Sequence, residues 1–216
     1  ASARMGESIY KFALREVPGA LGDAWAIEKD RLQRRGKSVW LPNNQILLAY
    51  AVTGLLTIGL VAAFGWILLP FLLVLIIIAF WQLTSANYIE HYGLLRAQDE
   101  NGKYERCAPH HSWNSNHVFS NLLLFHLERH SDHHANPLRR YQALRHFDDV
   151  PQLPNGYFGA YLLAYVPQLW FRVMDKRLLE LPHVRGDLDK LNIDPDARAA
   201  IFLRYGQAKM VEPTLG

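Results

Sequence analysis

The chain has 216 residues, half of them hydrophobic, with a formal net charge of +3, ten histidines and one cysteine. That length holds one domain or at most two, the aromatic and basic residues form no nucleic-acid-binding motif, and the single Cys107 excludes a CxxC pair and with it a built-in iron–sulfur or rubredoxin-type centre. A mean hydropathy near zero, −0.07, conceals one strongly apolar block beside polar flanks.

Residues 1–37 are polar and read as largely helical. The segment "AWAIEKDRLQRRGKS" (Ala24–Ser38) ends at Gly36, a C-terminal cap, and reads as a solvated juxtamembrane helix. "LPNN" (Leu41–Asn44) breaks the chain. From Ser38 to Ile89 there is no charged residue and no histidine. One membrane-crossing helix needs about 20 apolar residues, so this run predicts two. The first is Gln45–Phe64. The second runs from about Pro70, where the missing N–H is harmless in a first helical turn, to His91. At about 1.5 Å per residue it spans roughly 32 Å, enough for a hydrocarbon core of about 30 Å. All 23 Lys and Arg residues lie outside the block, on its two flanks. The positive-inside rule therefore puts both flanks in the cytoplasm, and Glu90 and His91 emerge on the side that holds the later histidines.

Beyond the spans, Gly93–Trp113 reads as a polar loop with turn signals at Asn101-Gly102 and Pro109. Asn116–Asn136 is predicted as one helix closed by Pro137. Tyr157–Met174 is apolar but broken by Pro167 and carries Arg172, so it reads as a core or interfacial helix, not a third span. The tail ends near another helical stretch, Asp194–Gly206. The expected class is all-α: integral membrane helices with a cytoplasmic, histidine-rich helical cap. Its organisation is 1–44 juxtamembrane, 45–91 two membrane helices and 92–216 a metal-binding cap.

The cap contains "HLERHSDHHA" (His126–Ala135). On a helix with His126 at zero, His130 lies at about 40°, His133 at about −20° and His134 at about 80°. Neutral imidazole is the commonest metal ligand among side chains, and spacings of three and four residues bring rings to one centre. His130, His133 and His134 are therefore candidate ligands. His91 joins them from the end of the second span. Metal-bound imidazoles need acceptors for their outer N–H; Asp132, Glu90 and His126 are assigned to that supporting layer, and no catalytic side chain is assigned beyond the ligands. His117 falls on the opposite face, and His110 and His111 are weaker candidates. An all-imidazole set suits zinc, copper, iron or nickel. A closed zinc site would be structural, whereas iron would supply oxygen chemistry that acid–base side chains cannot.

With "NYIEHYGLL" (Asn87–Leu95), "PHHSWNSNH" (Pro109–His117) and "LERHSDHHANPLRRYQALR" (Leu127–Arg145) the sequence resembles the bacterial integral-membrane alkane monooxygenases, which are non-haem di-iron enzymes. Glu128 stands where that family's last histidine box carries Gln. The resemblance implies a di-iron centre on the cytoplasmic face of the inner membrane, terminal hydroxylation of n-alkanes to 1-alkanols with O2, and electrons from rubredoxin. It implies His91 as the ligand of the HYG motif and His130, His133 and His134 as ligands of the last box. Arg139, Arg140 and Arg145 could meet an acidic electron donor. No histidine precedes His91, and the resemblance covers only the C-terminal part of the family. The remaining ligands are expected on an N-terminal part of the same enzyme, without which this chain is incomplete. A related desaturase or hydroxylase acting on lipid chains or aromatics, and a non-catalytic zinc protein, are the alternatives.

Overall fold

A computed structural model describes residues 2–40 and 42–206. Among the described residues the protein is all-helical, with eight α-helices, short 3-10 turns and isolated bridges but no strand. The α-helices are α1 (Ile9–Arg34), α2 (Gln45–Phe64), α3 (Leu68–His91), α4 (Val118–Leu123), α5 (His130–Ala135), α6 (Tyr157–Ala164), α7 (Pro167–Glu180) and α8 (Arg198–Tyr205). The chain divides into two compact units, one of Ala13–Thr84 and one that joins Ser2–Phe12 to the residues from Ser85 onward.

The first unit holds most of α1, all of α2 and most of α3. The helix α2 starts where Asn44 Oδ1 accepts the N–H groups of Ile46 and Leu47 at 2.9 and 3.1 Å. The Glu28 carboxylate takes the Gln45 N–H at 2.7 Å, so α1 supplies a second cap to the same helix end. Two bonds of 2.6 Å from Arg31 complete the Glu28 site, and Arg31 with the Gln45 N–H holds that carboxyl down to about 2. Gly65, at φ +84°, ends α2 and returns its N–H to the Val61 carbonyl. Both apolar helices are long enough to cross a bilayer, 20 and 24 residues, and no residue of α2 is buried within the protein. An apolar helix exposed all round, as α2 is and as α3 nearly is before Thr84, needs a solvent as apolar as itself, which is lipid.

The second unit has an aromatic core. Tyr88, Tyr92 and Trp170 meet pairwise with ring centroids 5.4 Å apart, and Phe12 closes on Tyr88 at 5.6 Å. The N-terminal segment is stitched in through Met5, which exchanges backbone bonds with Asn192 and Asp194. The apolar stretch after Asn155 divides into α6 and α7, and Pro167 opens α7.

The expectation of one helix over Asn116–Asn136 is corrected. Phe125 and His126 both take positive φ, 50° and 59°, and separate α4 from α5. The cause is tertiary. Glu128 is fully buried, and its carboxylate accepts from Asn121 Nδ2 at 3.0 Å and from the Tyr157 N–H at 2.7 Å. Its carbonyl accepts the Ser115 N–H. These partners outweigh two turns of exposed helix, whose own hydrogen bonds contribute little net stability against water.

Candidate metal centre

His91 is the last residue of α3, and the two residues that follow it fix its position. The Tyr92 hydroxyl donates to Asp175 Oδ1 at 2.9 Å and accepts the Gly6 N–H at 2.9 Å. Gly93 sits at φ +71°, and a β-carbon there would lie 2.3 Å from Leu178 Cδ1. Only glycine meets both requirements. The "HYG" string thus holds one imidazole, one buried anchor and one obligatory turn.

The short helix α5 presents His130 and His134 one turn apart. It is seated by the loop that precedes α4. Asn114 Oδ1 accepts the Ser131 N–H at 2.9 Å, and Ser131 Oγ donates to the Pro109 carbonyl. The same loop reaches the end of α3: Trp113 N–H donates to the Glu90 carbonyl at 2.8 Å, and its indole N–H to the Tyr92 carbonyl at 2.8 Å.

Three imidazoles converge. His130 Nε2 lies 3.3 Å from His91 Nε2 and 2.8 Å from His134 Nε2. One ligand atom from each falls within 4.8 Å of the others. Two nitrogens each about 2.1 Å from one ion sit about 3.0–3.4 Å apart at bond angles between perpendicular and tetrahedral; the 3.3 Å pair falls in that range, and the 2.8 Å pair needs to open by a few tenths of an ångström to share the same cation. Protonation states fit as well. Burial and the neighbouring imidazoles push His130 well below its usual range, and burial with His133 lowers His134. Neutral rings with free lone pairs are what a metal requires. His91 Nδ1 faces the His111 carbonyl at 3.3 Å. A carbonyl can only accept, so the proton sits on Nδ1 and the Nε2 lone pair points to the cluster.

The other predicted residues divide. His133 lies beside the trio, with ring centroids 5.9 Å from His130 and 5.7 Å from His134, and it is exposed. Glu90 is buried, with Oε2 3.2 Å from His130 Nε2 and Oε1 accepting the Tyr157 hydroxyl at 2.9 Å. Asp132 points elsewhere: it accepts from Asn136 Nδ2, from Arg139 and from the Arg145 N–H. Burial would raise its pKa, but the Arg145 N–H and the Arg139 guanidinium outweigh it and hold the carboxyl low. Asp132 therefore folds the segment after α5 back onto the histidine helix. His126 lies in the left-handed link, outside the trio, with its Nδ1 buried and unbonded.

Sequence reasoning missed Asn114, Ser131, Tyr157 and the His111 carbonyl. Tyr157 carries no signal beyond opening an apolar stretch. Asn114 and His111 lie in "PHHSWNSNH", whose interest was in its histidine side chains, whereas the His111 ring itself is engaged with Ala108 N–H and Glu105.

Residues 1–172 match the fatty acid desaturase family. The chain belongs to the fatty acid desaturase family. Within it, this family member is 55% identical over 207 residues to the alkane 1-monooxygenase of Ectopseudomonas oleovorans, covering 95% of this chain and 51% of that protein. It is 54% identical to alkane 1-monooxygenase 1 of Alcanivorax borkumensis, over 95% and 50% of the two chains. A more distant relative is the xylene/toluene monooxygenase hydroxylase component of Pseudomonas putida, 32% identical over 79% of this chain and 45% of that one. This desaturase-family chain spans about half the length of the curated relatives it matches.

Proposed function

We propose that this chain is the part of a membrane di-iron monooxygenase that contributes His91, His130, His133 and His134 to iron, in an enzyme that hydroxylates the terminal carbon of n-alkanes to 1-alkanols. The convergence of the His91, His130 and His134 Nε2 atoms carries the reading, in a chain 55% identical to an alkane 1-monooxygenase. His91, His130 and His134 would hold one ion. His133, alongside and exposed, would turn to a second whose other ligands come from elsewhere in the enzyme. Iron so held supplies the activation of O2 that side chains lack.

The chain's own residues have distinct tasks. The His111 carbonyl keeps the His91 proton on Nδ1 and the ring aimed. Tyr157 holds the Glu90 carboxylate beside His130 Nε2, on the side of the innermost imidazole that faces the trio. Asn114 and Ser131 keep α5 from sliding along the site. The apolar surfaces of α2 and α3 suit a substrate that partitions into lipid. The domain reading follows the same lines: 1–44 juxtamembrane, 45–91 spanning, 92–216 a cytoplasmic cap at the inner membrane. Rubredoxin would deliver electrons there, and exposed Arg140 is a point of contact for an acidic donor.

The test uses the full enzyme that carries this sequence. Incubation with n-octane, O2 and reduced rubredoxin should yield 1-octanol, and the His130→Ala variant should lose both iron and product. Stoichiometric zinc in place of iron would overturn the reading. So would unchanged iron and turnover in the variant. A desaturated acyl chain as the sole product would point instead to the lipid-acting members of the family.

A further inference from the structure

The sequence of α1 reads as a solvated helix, but its faces are unequal. With Leu14 at zero on the helical wheel, Leu21 falls at about −20°, Trp25 at about 20°, Val17 at about −60°, Glu28 at about −40° and Leu32 at about 0°. Glu16, Asp23, Asp30 and Arg34 all fall within about 20° of the opposite pole. Ile27, at about −140°, is the exception.

The two ends of the apolar stripe differ in their surroundings. Toward the C-terminus, Leu32 is fully buried, and Glu28 on the same face bonds the Gln45 N–H at the first residue of the span α2. Arg31 adds a bond to the Asn43 carbonyl. This face of α1 is therefore fastened at the level where α2 enters the membrane. Toward the N-terminus the same face is only partly covered: Leu14 is 80% exposed and Leu21 53%, with Val17 and Trp25 half-buried. Between the two ends, Trp25 meets Trp40 edge-on at 6.5 Å, and Trp40 is 64% exposed just ahead of the span. Tryptophan pairs at a span entry are what a headgroup layer favours. Lys29, at about 60°, flanks the stripe, where a long cation reaches phosphates while its stem stays apolar.

We infer that α1 is an in-plane membrane helix whose Leu14–Val17–Leu21–Trp25 stripe sits in the lipid headgroup layer beside the entry of α2. The occupant of the stripe is lipid because the stripe is continuous with the α2 entry in the same compact unit. The inference rests on α2 being a membrane span, and the experiment separates the two.

Single cysteines at Leu14, Leu21, Asp23 and Leu55 are introduced in the full enzyme on a Cys107→Ser background. Each is spin-labelled in vesicles of phosphatidylcholine and phosphatidylglycerol. Accessibility to O2, which concentrates in lipid, is compared with accessibility to a water-soluble nickel chelate. The expected O2-to-chelate ratio is highest at Leu55 on α2, several-fold lower but still lipid-like at Leu14 and Leu21, and water-like at Asp23. A lipid-like Leu55 with water-like Leu14 and Leu21 would overturn the inference and leave the span intact. Labels at Leu14 and Leu21 shielded from both reagents would also overturn it, since protein would then cover the stripe. A water-like Leu55 would overturn both. A label-free measurement backs the first: brominated lipid should quench the unlabelled enzyme more than its Trp25→Phe variant, and equal quenching counts against the inference.

Discussion

The Tyr157 hydroxyl donates to one oxygen of Glu90 at 2.9 Å while the other Glu90 oxygen stands 3.2 Å from His130 Nε2. Tyr157 is the first residue of α6 and Glu90 the penultimate residue of α3. A residue outside the candidate ligand set thus holds the carboxylate that abuts the innermost imidazole. Tyr157→Phe leaves a buried carboxylate oxygen without its donor, a cost of about 1–3 kcal/mol. Glu90 faces Nε2, the nitrogen that His130 turns to the trio, so a carboxylate freed from Tyr157 shifts at the centre itself, and iron affinity should fall by about 10- to 100-fold, the usual range for losing a partner just outside the ligands. Iron titration of the apo-enzyme, with the thermal midpoint measured beside it, checks both.

His126 and His130 stand four residues apart in sequence and in different backbone settings. His130→Ala should abolish stoichiometric iron, whereas His126→Ala should retain it, because His126 lies in the link between α4 and α5. Elemental analysis of the two purified variants decides. Iron loss of equal size in both would mean that His126 reaches the centre.

Gly93→Ala meets two obstacles at once. The φ of +71° disfavours any side chain, and the new methyl would press on Leu178. A shift of the turn moves His91, which lies two residues before it. The expected cost is about 1–3 kcal/mol or more of stability, with weaker iron binding. Leu178→Ala in the same chain relieves the overlap but not the φ penalty, so it should restore only part of the loss.

Asp175 gives a pH signature. Burial, only partly offset by Tyr92 and Tyr205, raises its carboxyl to about 6 from an ordinary 3.8. Between those values the folded protein holds a proton that the unfolded chain has released. Stability therefore falls as pH rises from about 4 to 6, by about 3 kcal/mol in all, and is flat above. Thermal midpoints of the detergent-solubilised enzyme across this range should show the slope. Asp175→Asn should remove it, and an unchanged slope in that variant would assign the effect elsewhere.

The membrane helices were legible because their signal is compositional: a long uncharged run needs no tertiary information to be read. The His130–His134 pair was legible because its spacing is one helical turn, whatever precedes it. The break at Phe125–His126 was not. Nothing local in "LLLFHLERH" announces that Glu128 will be buried against the Tyr157 N–H, some thirty residues on. Asp132 shows the same limit. Sequence adjacency suggested support for an imidazole, while Arg139 and Arg145, downstream and basic, claimed the carboxylate. Tyr157 was invisible for the converse reason, since its partner Glu90 lies 67 positions away.

The helix α3 ends on His91, and this places a constraint on apolar sequence that hydrophobicity does not reveal. Each residue of an α-helix turns the next by about 100° and advances it about 1.5 Å. Exchanging one Leu, Ile or Val of α3 for another leaves that count intact. Inserting or deleting a single residue between Leu68 and Glu90 alters it, and must either swing the terminal imidazole about a quarter-turn off its target or shift the register of the whole helix. A stretch that looks interchangeable letter by letter is thus fixed in its number of letters, a ruler whose last graduation is one imidazole of a converging trio.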